Sequence, residues 1–303
     1  INPLTGQALA NPAILARRPL AVKITNAAVV RPQAGIGSAD MIFEHLTEGG
    51  VTRFTAVFYS QLPDLAGPVR SARLIDLEIP NMLNAAFGFS GSEGRIKEMF
   101  RNALFFDDVI SPDFGHGGFF RVEDLDAKAW DTMFTNPQNL QFLMEQRESY
   151  APPIFDGGLV FHEQVINSSE PATRLELWYP ATNATWFYSN GRYLRWSDGD
   201  PHLDANTNAQ LAFDNVVIIS ANHVDTDIFE DTSGNPSIQI QIWGEGPVSV
   251  FRDGERINGR WQRNDPTHML TFYDLEGNPL PLSPGTTFFH LVPIGFDRLE
   301  VTS

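Results

Sequence analysis

Arginines and carboxylates crowd one stretch of this chain. Asp40, Glu44 and Glu48 precede Arg53, and the run Gly67-Pro68-Val69-Arg70-Ser71-Ala72-Arg73 follows. In an extended segment Arg70 and Arg73 point to opposite faces, whereas in a turn or the first turn of a helix they point together. Gly67-Pro68 is a turn signal. Two guanidinia converging there would form a fork for a phosphate, a pyrophosphate or a carboxylate, helped by backbone N–H groups at the start of a helix after Leu74. Arg53, Arg70, Ser71, Arg73, Asp40, Glu44 and Glu48 are therefore the candidate ligand-binding residues. Glu44 and Glu48 either hold Arg53 in place or bind a divalent cation beside the anion. The same residues also fit a ladder of structural salt bridges across a sheet.

Other chemistry has less support. Cysteine is absent, which excludes disulfides, Cys-ligated metals and thiol nucleophiles. The seven histidines lack metal spacing, and His162-Glu163 has no second His in the zinc-protease position. The stretch Asp198 to Asn208 suggests a calcium loop, but counting from Asp204 places Ala209 and Asn215 where an EF-hand needs Gly and Glu. Ser90 and Ser92 sit among glycines without completing a nucleophile elbow. Walker and dinucleotide fingerprints are missing as well. No metal and no cofactor is expected.

Charge bounds the partners. The 303 residues carry 21 basic and 37 acidic groups, net −16, so the summed field repels nucleic acid. The acidity is uneven: residues 1–150 are net −4 and residues 151–303 net −12, while the window 17–101 holds ten basic groups against eight acidic. A short-range anion pocket there survives the overall charge. Apolar residues form 42% of the chain, with 23 Phe, enough for a packed core. No run approaches the roughly 18 apolar residues of a membrane span.

Elements must place these groups. Ala21 to Thr25, Met41 to Glu48 and Val51 to Tyr59 alternate as strands, and Gly49-Gly50 reads as a two-residue hairpin turn. That turn pairs Glu48 with Val51, Leu46 with Arg53 and Glu44 with Thr55, which sets Arg53 on one face with both glutamates. Ser92 is expected to cap a helix reaching Asn102, with Ile96, Met99 and Phe100 inward. Asn136-Pro137 is a second helix start, with Leu140, Leu143 and Met144 as its buried stripe. Ser111 to Gly118 reads as a binding loop or lid. Beyond Tyr150 the signals become almost wholly β, including an Asn190-Gly191 hairpin that pairs Tyr188 with Tyr193 and Trp186 with Arg195. The expected class is α+β. A mixed α/β domain with a central sheet (1–155) precedes a β-rich domain, sandwich or open barrel (156–303).

These residues resemble a family. Arg31 to Glu44, Glu48 to Phe54 and Gly67 to Arg73 resemble the YerB-like bacterial lipoproteins, and Tyr193 to Asp204, Asn215 to Ile218, Phe272 to Asp274 and Pro284 to Thr286 resemble that family's carboxy-terminal domain. The resemblance implies two domains of unknown function. It also implies an extracytoplasmic protein anchored by a lipid-bearing segment expected ahead of Ile1, which would be its membrane contact. Where the family pattern suggests a His-Asn pair, this chain has Asp131-Thr132, so a His general base does not carry over. The expected function is an envelope lipoprotein that binds a phosphate- or carboxylate-bearing ligand, with enzyme activity and protein partners left open. The alternative is an enzyme acting on a polyprenyl-pyrophosphate-linked glycan. It requires an apolar groove near Phe87, Phe89, Phe105 and Phe106, and magnesium at Asp40 or Glu44.

Overall fold

The computed structural model describes residues 1–123, 125, 127–147, 151–155, 157–165, 168, 170–230 and 234–303. The first half supplies strands β1 (Leu20–Thr25), β2 (Met41–Leu46), β3 (Thr52–Phe58), β4 (Ala86–Gly88), β5 (Val109–Ile110), β6 (Phe119–Arg121) and β7 (Met133–Thr135). Its helices are α1 (Ile79–Met82), α2 (Gly94–Arg101) and α3 (Pro137–Glu145). The second half supplies β8 (Arg174–Trp178), β9 (Asn183–Ser189), β10 (Arg192–Ser197), β11 (Asp200–Pro201), β12 (Ala212–Phe213) and β13 (Asn215–Phe229). It continues with β14 (Pro236–Gln241), β15 (Gly244–Arg252), β16 (Glu255–Arg263), β17 (Thr271–Asp274), β18 (Thr287–Pro293) and β19 (Leu299–Thr302). The expected α+β class holds, with a mixed first half around a sheet and a β-rich second half. Part of the stretch around the boundary expected at 155/156, residues 148–150, 156, 166, 167 and 169, lies outside the described residues.

One large sheet unites both halves in the order β17-β16-β15-β13-β18-β2-β3-β1-β4-β5, with β14 added to β13. Its seam is the parallel pair β18–β2, which sets Phe288 beside Ile42, Phe289 beside Phe43 and His290 beside Glu44. Strands covered on both faces need near-continuous apolar runs, and every residue of β1 and β3 is buried. On one face the core includes Phe43 stacked on Phe289 at 4.6 Å and the Phe87, Phe89 and Phe100 group beside α2. A second sheet, β11-β10-β9-β8-β19 with β12 on β10, closes over the other face. There Trp186 of β9 meets Phe288 edge-on at 4.9 Å.

The β2–β3 register corrects the hairpin expectation. Residues 47–51 make a longer turn, with Thr47 N donating to Val51 O at 2.8 Å and both glycines at positive φ. Phe43 therefore pairs with Thr55, Glu44 with Phe54 and His45 with Arg53. A one-residue change in register exchanges the faces, so Glu44 and Arg53 lie on opposite sides of the sheet. Glu48, inside the turn, is free of that alternation.

Local signals did better elsewhere. Asn136 caps α3 by accepting from Gln138 N and Asn139 N, Leu140 and Met144 are buried, and Leu143 is half-buried. The Asn190-Gly191 hairpin has the expected partners, Tyr188 with Tyr193 and Trp186 with Arg195, and both turn residues sit at positive φ. For α2 the cap is Glu93 rather than Ser92, because the Glu93 carboxylate reaches Arg95 N and Ile96 N. Met99 is exposed, while Ile96 and Phe100 turn inward. Among the described residues no helix is long and apolar enough to cross a membrane.

Candidate functional site

Three of the expected arginines come together on the α2 side of the sheet. Arg53 leaves β3 and donates to Glu48 Oε1 at 3.0 Å and to the Ser71 carbonyl at 2.8 Å. Arg73 grips the same carboxylate twice, with Nε 2.6 Å from Oε2 and Nη2 on Oε1, and its Nε is 3.3 Å from Glu230 of the second half. Arg70 donates to the Trp130 carbonyl at 3.1 Å and lies 3.6 Å from Asp131. Ser71 contributes through its backbone oxygen. Burial pushes the Glu48 carboxyl up, but the Arg73 hydrogen bond and the two arginine charges outweigh it and hold the pKa low. Burial, then the Arg73 charge, pushes Arg53 down to about 9, against the pull of Glu48, which leaves the guanidinium charged at neutral pH. Glu230 shifts up, chiefly through burial.

Asp40 and Glu44 do not join this cluster. The buried Asp40 carboxylate accepts from Asn2 Nδ2 at 2.9 Å, Tyr59 N at 2.6 Å and Ser60 N at 2.9 Å, so it ties the amino-terminal segment to the end of β3. Glu44 faces the second sheet, where it accepts from Asn26, Thr52 and Arg195 at 3.0, 2.8 and 2.9 Å. Both carboxylates are thus engaged in holding the fold. Phe87 and Phe89 are completely buried, and Phe105 and Phe106 pack against the same core, so the groove required by the glycan-enzyme alternative is not formed by them. Among the described residues no group of three or more His, Asp or Glu is arranged to hold a metal ion.

The arginines open on a cleft of about 350 Å³. Arg31, Arg53, Arg70 and Lys128 line it against two carboxylates, Asp131 and Asp198, giving a cationic lining in an acidic protein. Both halves contribute. Arg31 bridges them by donating to Thr182 Oγ1 at 3.1 Å and to Asn26 O at 3.0 Å, and by pairing with Asp198 at 2.5 Å. Arg70 has its pKa lowered by burial, with Asp131 opposing, and its buried Nε has no hydrogen-bond partner among the described residues. Lys128, one of three lysines in the chain, lies over the exposed Trp130 ring at 5.2 Å. Of these cleft-lining residues, Arg53 and Arg70 are among the candidates read from the sequence, whereas Arg31, Lys128 and Trp130 are not. For Arg31 the signal was its place in the positive window; Trp130 and Lys128 carry no spacing signal.

Beneath the arginines lies a buried quartet formed by Lys23, His45, Thr55 and Asp76, all completely buried. The Lys23 ammonium donates to His45 Nε2, to Thr55 Oγ1 at 3.1 Å and to Asp76 at 2.8 Å. His45 Nδ1 lies 3.1 Å from the Leu46 carbonyl, so the ring proton sits there and Nε2 is the acceptor. Every ammonium proton is used, and the group is sealed from the cleft.

Comparison with known proteins agrees with this two-part chain. Residues 4–150 match the N-terminal domain model of DUF3048, a protein family of unknown function, and residues 175–289 match its C-terminal domain model. The sequence is 29% identical over 284 residues to "Putative lipoprotein YerB" of Bacillus subtilis (strain 168), covering 91% of this chain and 82% of the relative. A crystal structure of the YerB protein from Bacillus subtilis superposes with a TM-score of 0.83 at 26% identity over 99% of each chain. The chain therefore belongs to the YerB-like family that joins the DUF3048 N- and C-terminal domains.

Proposed function

We propose that this protein is a lipid-tethered, extracytoplasmic lipoprotein that binds an anionic envelope ligand bearing a phosphate or carboxylate. Likeness to a relative named as a lipoprotein supports the location. The observation that carries the ligand reading is the cleft, where Arg31, Arg53, Arg70 and Lys128 outnumber Asp131 and Asp198. Arg31 and Arg70 have donor capacity to spare, because the buried Nε of each has no hydrogen-bond partner among the described residues. An approaching anion would exchange solvent for guanidinium donors already held in place by Glu48, Ser71 and Trp130, so little side-chain entropy is lost on binding.

Arg70→Gln is the test. In thermal-shift titrations with phosphate, pyrophosphate and citrate, wild type at 100 times Kd gains about 2.7 kcal/mol of stability, seen as a rise in Tm. Arg70→Gln is expected to lose most of that rise, with Lys128→Gln, at an exposed position, losing part of it. Unliganded Tm values of both variants show that they are folded. No Arg70-dependent shift with any anion defeats the reading.

A further inference from the structure

The cleft is polar at depth, and its mouth carries an apolar strip beside the exposed Lys128 and Asp198. Arg53, Thr25, Asn26 and Thr52 line its buried part, each no more than 4% exposed, while the lining residues Val29, Trp130 and Val51 are 75%, 56% and 44% exposed. Ligand pockets for neutral molecules usually bury their apolar lining; here the order is inverted. A compact inorganic anion would use the depth and leave the apolar mouth in water. A ligand with an anionic head and a hydrocarbon or other apolar tail would use both, the head on Arg53 and Arg70 and the tail crossing Val29, Val51 and the Trp130 indole.

We infer that the cleft takes a single amphiphilic anion, head inward and tail across the Val29–Trp130–Val51 mouth. This rests on the anion-binding reading above. The volume of about 350 Å³ accommodates a head group and the first part of a chain. A bilayer is the other source of such chemistry, but the net charge of −16 opposes close seating of even a tethered protein on an anionic membrane surface. Three apolar side chains also make a small insertion surface. The charge complementarity is local to the cleft, which favours a monomeric amphiphile delivered to the protein over docking of the protein on a lipid surface.

The test is calorimetry with inorganic phosphate and a series of n-alkyl phosphates from ethyl to decyl, each below its critical micelle concentration. Affinity should rise with each methylene by up to about fourfold, the ratio that full burial of a methylene yields, and then level off once the chain passes the mouth. Trp130→Ala and Val29→Ser should flatten the series, and Arg70→Gln should weaken every member. Both mouth residues are exposed, and an unchanged unliganded Tm verifies folding. A flat series in wild type, with phosphate binding still Arg70-dependent, overturns the amphiphile and leaves the anion reading standing. Failure of every anion to bind overturns both. A series equally steep in Trp130→Ala, equal binding of octanol, or binding to phosphatidylglycerol vesicles without binding of the monomers also overturns the inference.

Discussion

Asp76→Asn is expected to lower the unfolding free energy by about 3–5 kcal/mol, the cost of leaving one partner of a buried ion pair uncompensated. Asp76 is the only carboxylate bonded to the Lys23 ammonium among the described residues, at 2.7 Å, and both side chains are fully buried. It also accepts from Thr55 Oγ1 and from the Arg73 backbone N–H, each at 2.8 Å, so the loss spreads into the turn that carries Arg73. Replacing both charges, as Lys23→Met with Asp76→Leu, should recover much of the stability, because an apolar pair avoids the desolvation of two ions. Urea unfolding of wild type and the two variants measures the loss and its recovery. A loss below about 1 kcal/mol in Asp76→Asn would show that Lys23 is neutral or solvated in the fold.

The same group makes stability depend on pH. Burial, against the pull of Asp76, lowers the Lys23 pKa from its ordinary 10.5 to about 8. Between about pH 8 and 10.5 the unfolded chain therefore holds a proton that the folded chain has released. Stability contributed by this group rises with pH across that window, by up to about 1.4 kcal/mol per unit. Lys23→Met should lack that rise when unfolding is followed from pH 7.5 to 10. Parallel slopes in the two proteins would refute it. His45, pushed well down by burial and then by Lys23, remains neutral throughout.

Arg195→Ala should be comparably damaging, at about 3–5 kcal/mol. Arg195 is fully buried between the two sheets, with Nη2 2.9 Å from Glu44 and the guanidinium stacked 4.6 Å from the Phe288 ring and 5.2 Å from Trp186. Its Nε donates to His202 Nδ1 at 3.1 Å, which leaves the His202 proton on Nε2 facing Gln33 Oε1 at 2.7 Å. Removing the side chain strips Glu44 of its counter-charge and opens a cavity at an aromatic contact. Denaturant unfolding with Arg195→Ala, Glu44→Ala and the double variant gives the coupling directly. If the single losses simply add, the pair is not the joint between the sheets.

Legibility followed sequence distance. The Asn190-Gly191 hairpin and the Asn136 cap were readable because each is decided by neighbours a few residues away. The Gly49-Gly50 turn was misread, since the extra residues that lengthen it are compatible with either register, and only packing on both faces of β2 and β3 selects one. That single step moved Glu44 from the arginine side to the second-sheet side, where Arg195 stands 151 residues away. Arg31 and Asp198, 167 residues apart, meet for the same kind of reason.

By itself, then, the order of residues determined which groups this protein has to work with: an arginine-built window in an acidic chain, the turns and caps, the α+β class and the family. Tertiary structure decided which of them meet. The parallel β18–β2 pairing, absent from any local pattern, draws the second half against the first. Strand parity then sends Arg53 and Glu44 to opposite faces. Desolvation commits Asp40, Glu44 and Lys23 to holding the fold, while Arg70, beside Trp130, stays partly exposed in the cleft.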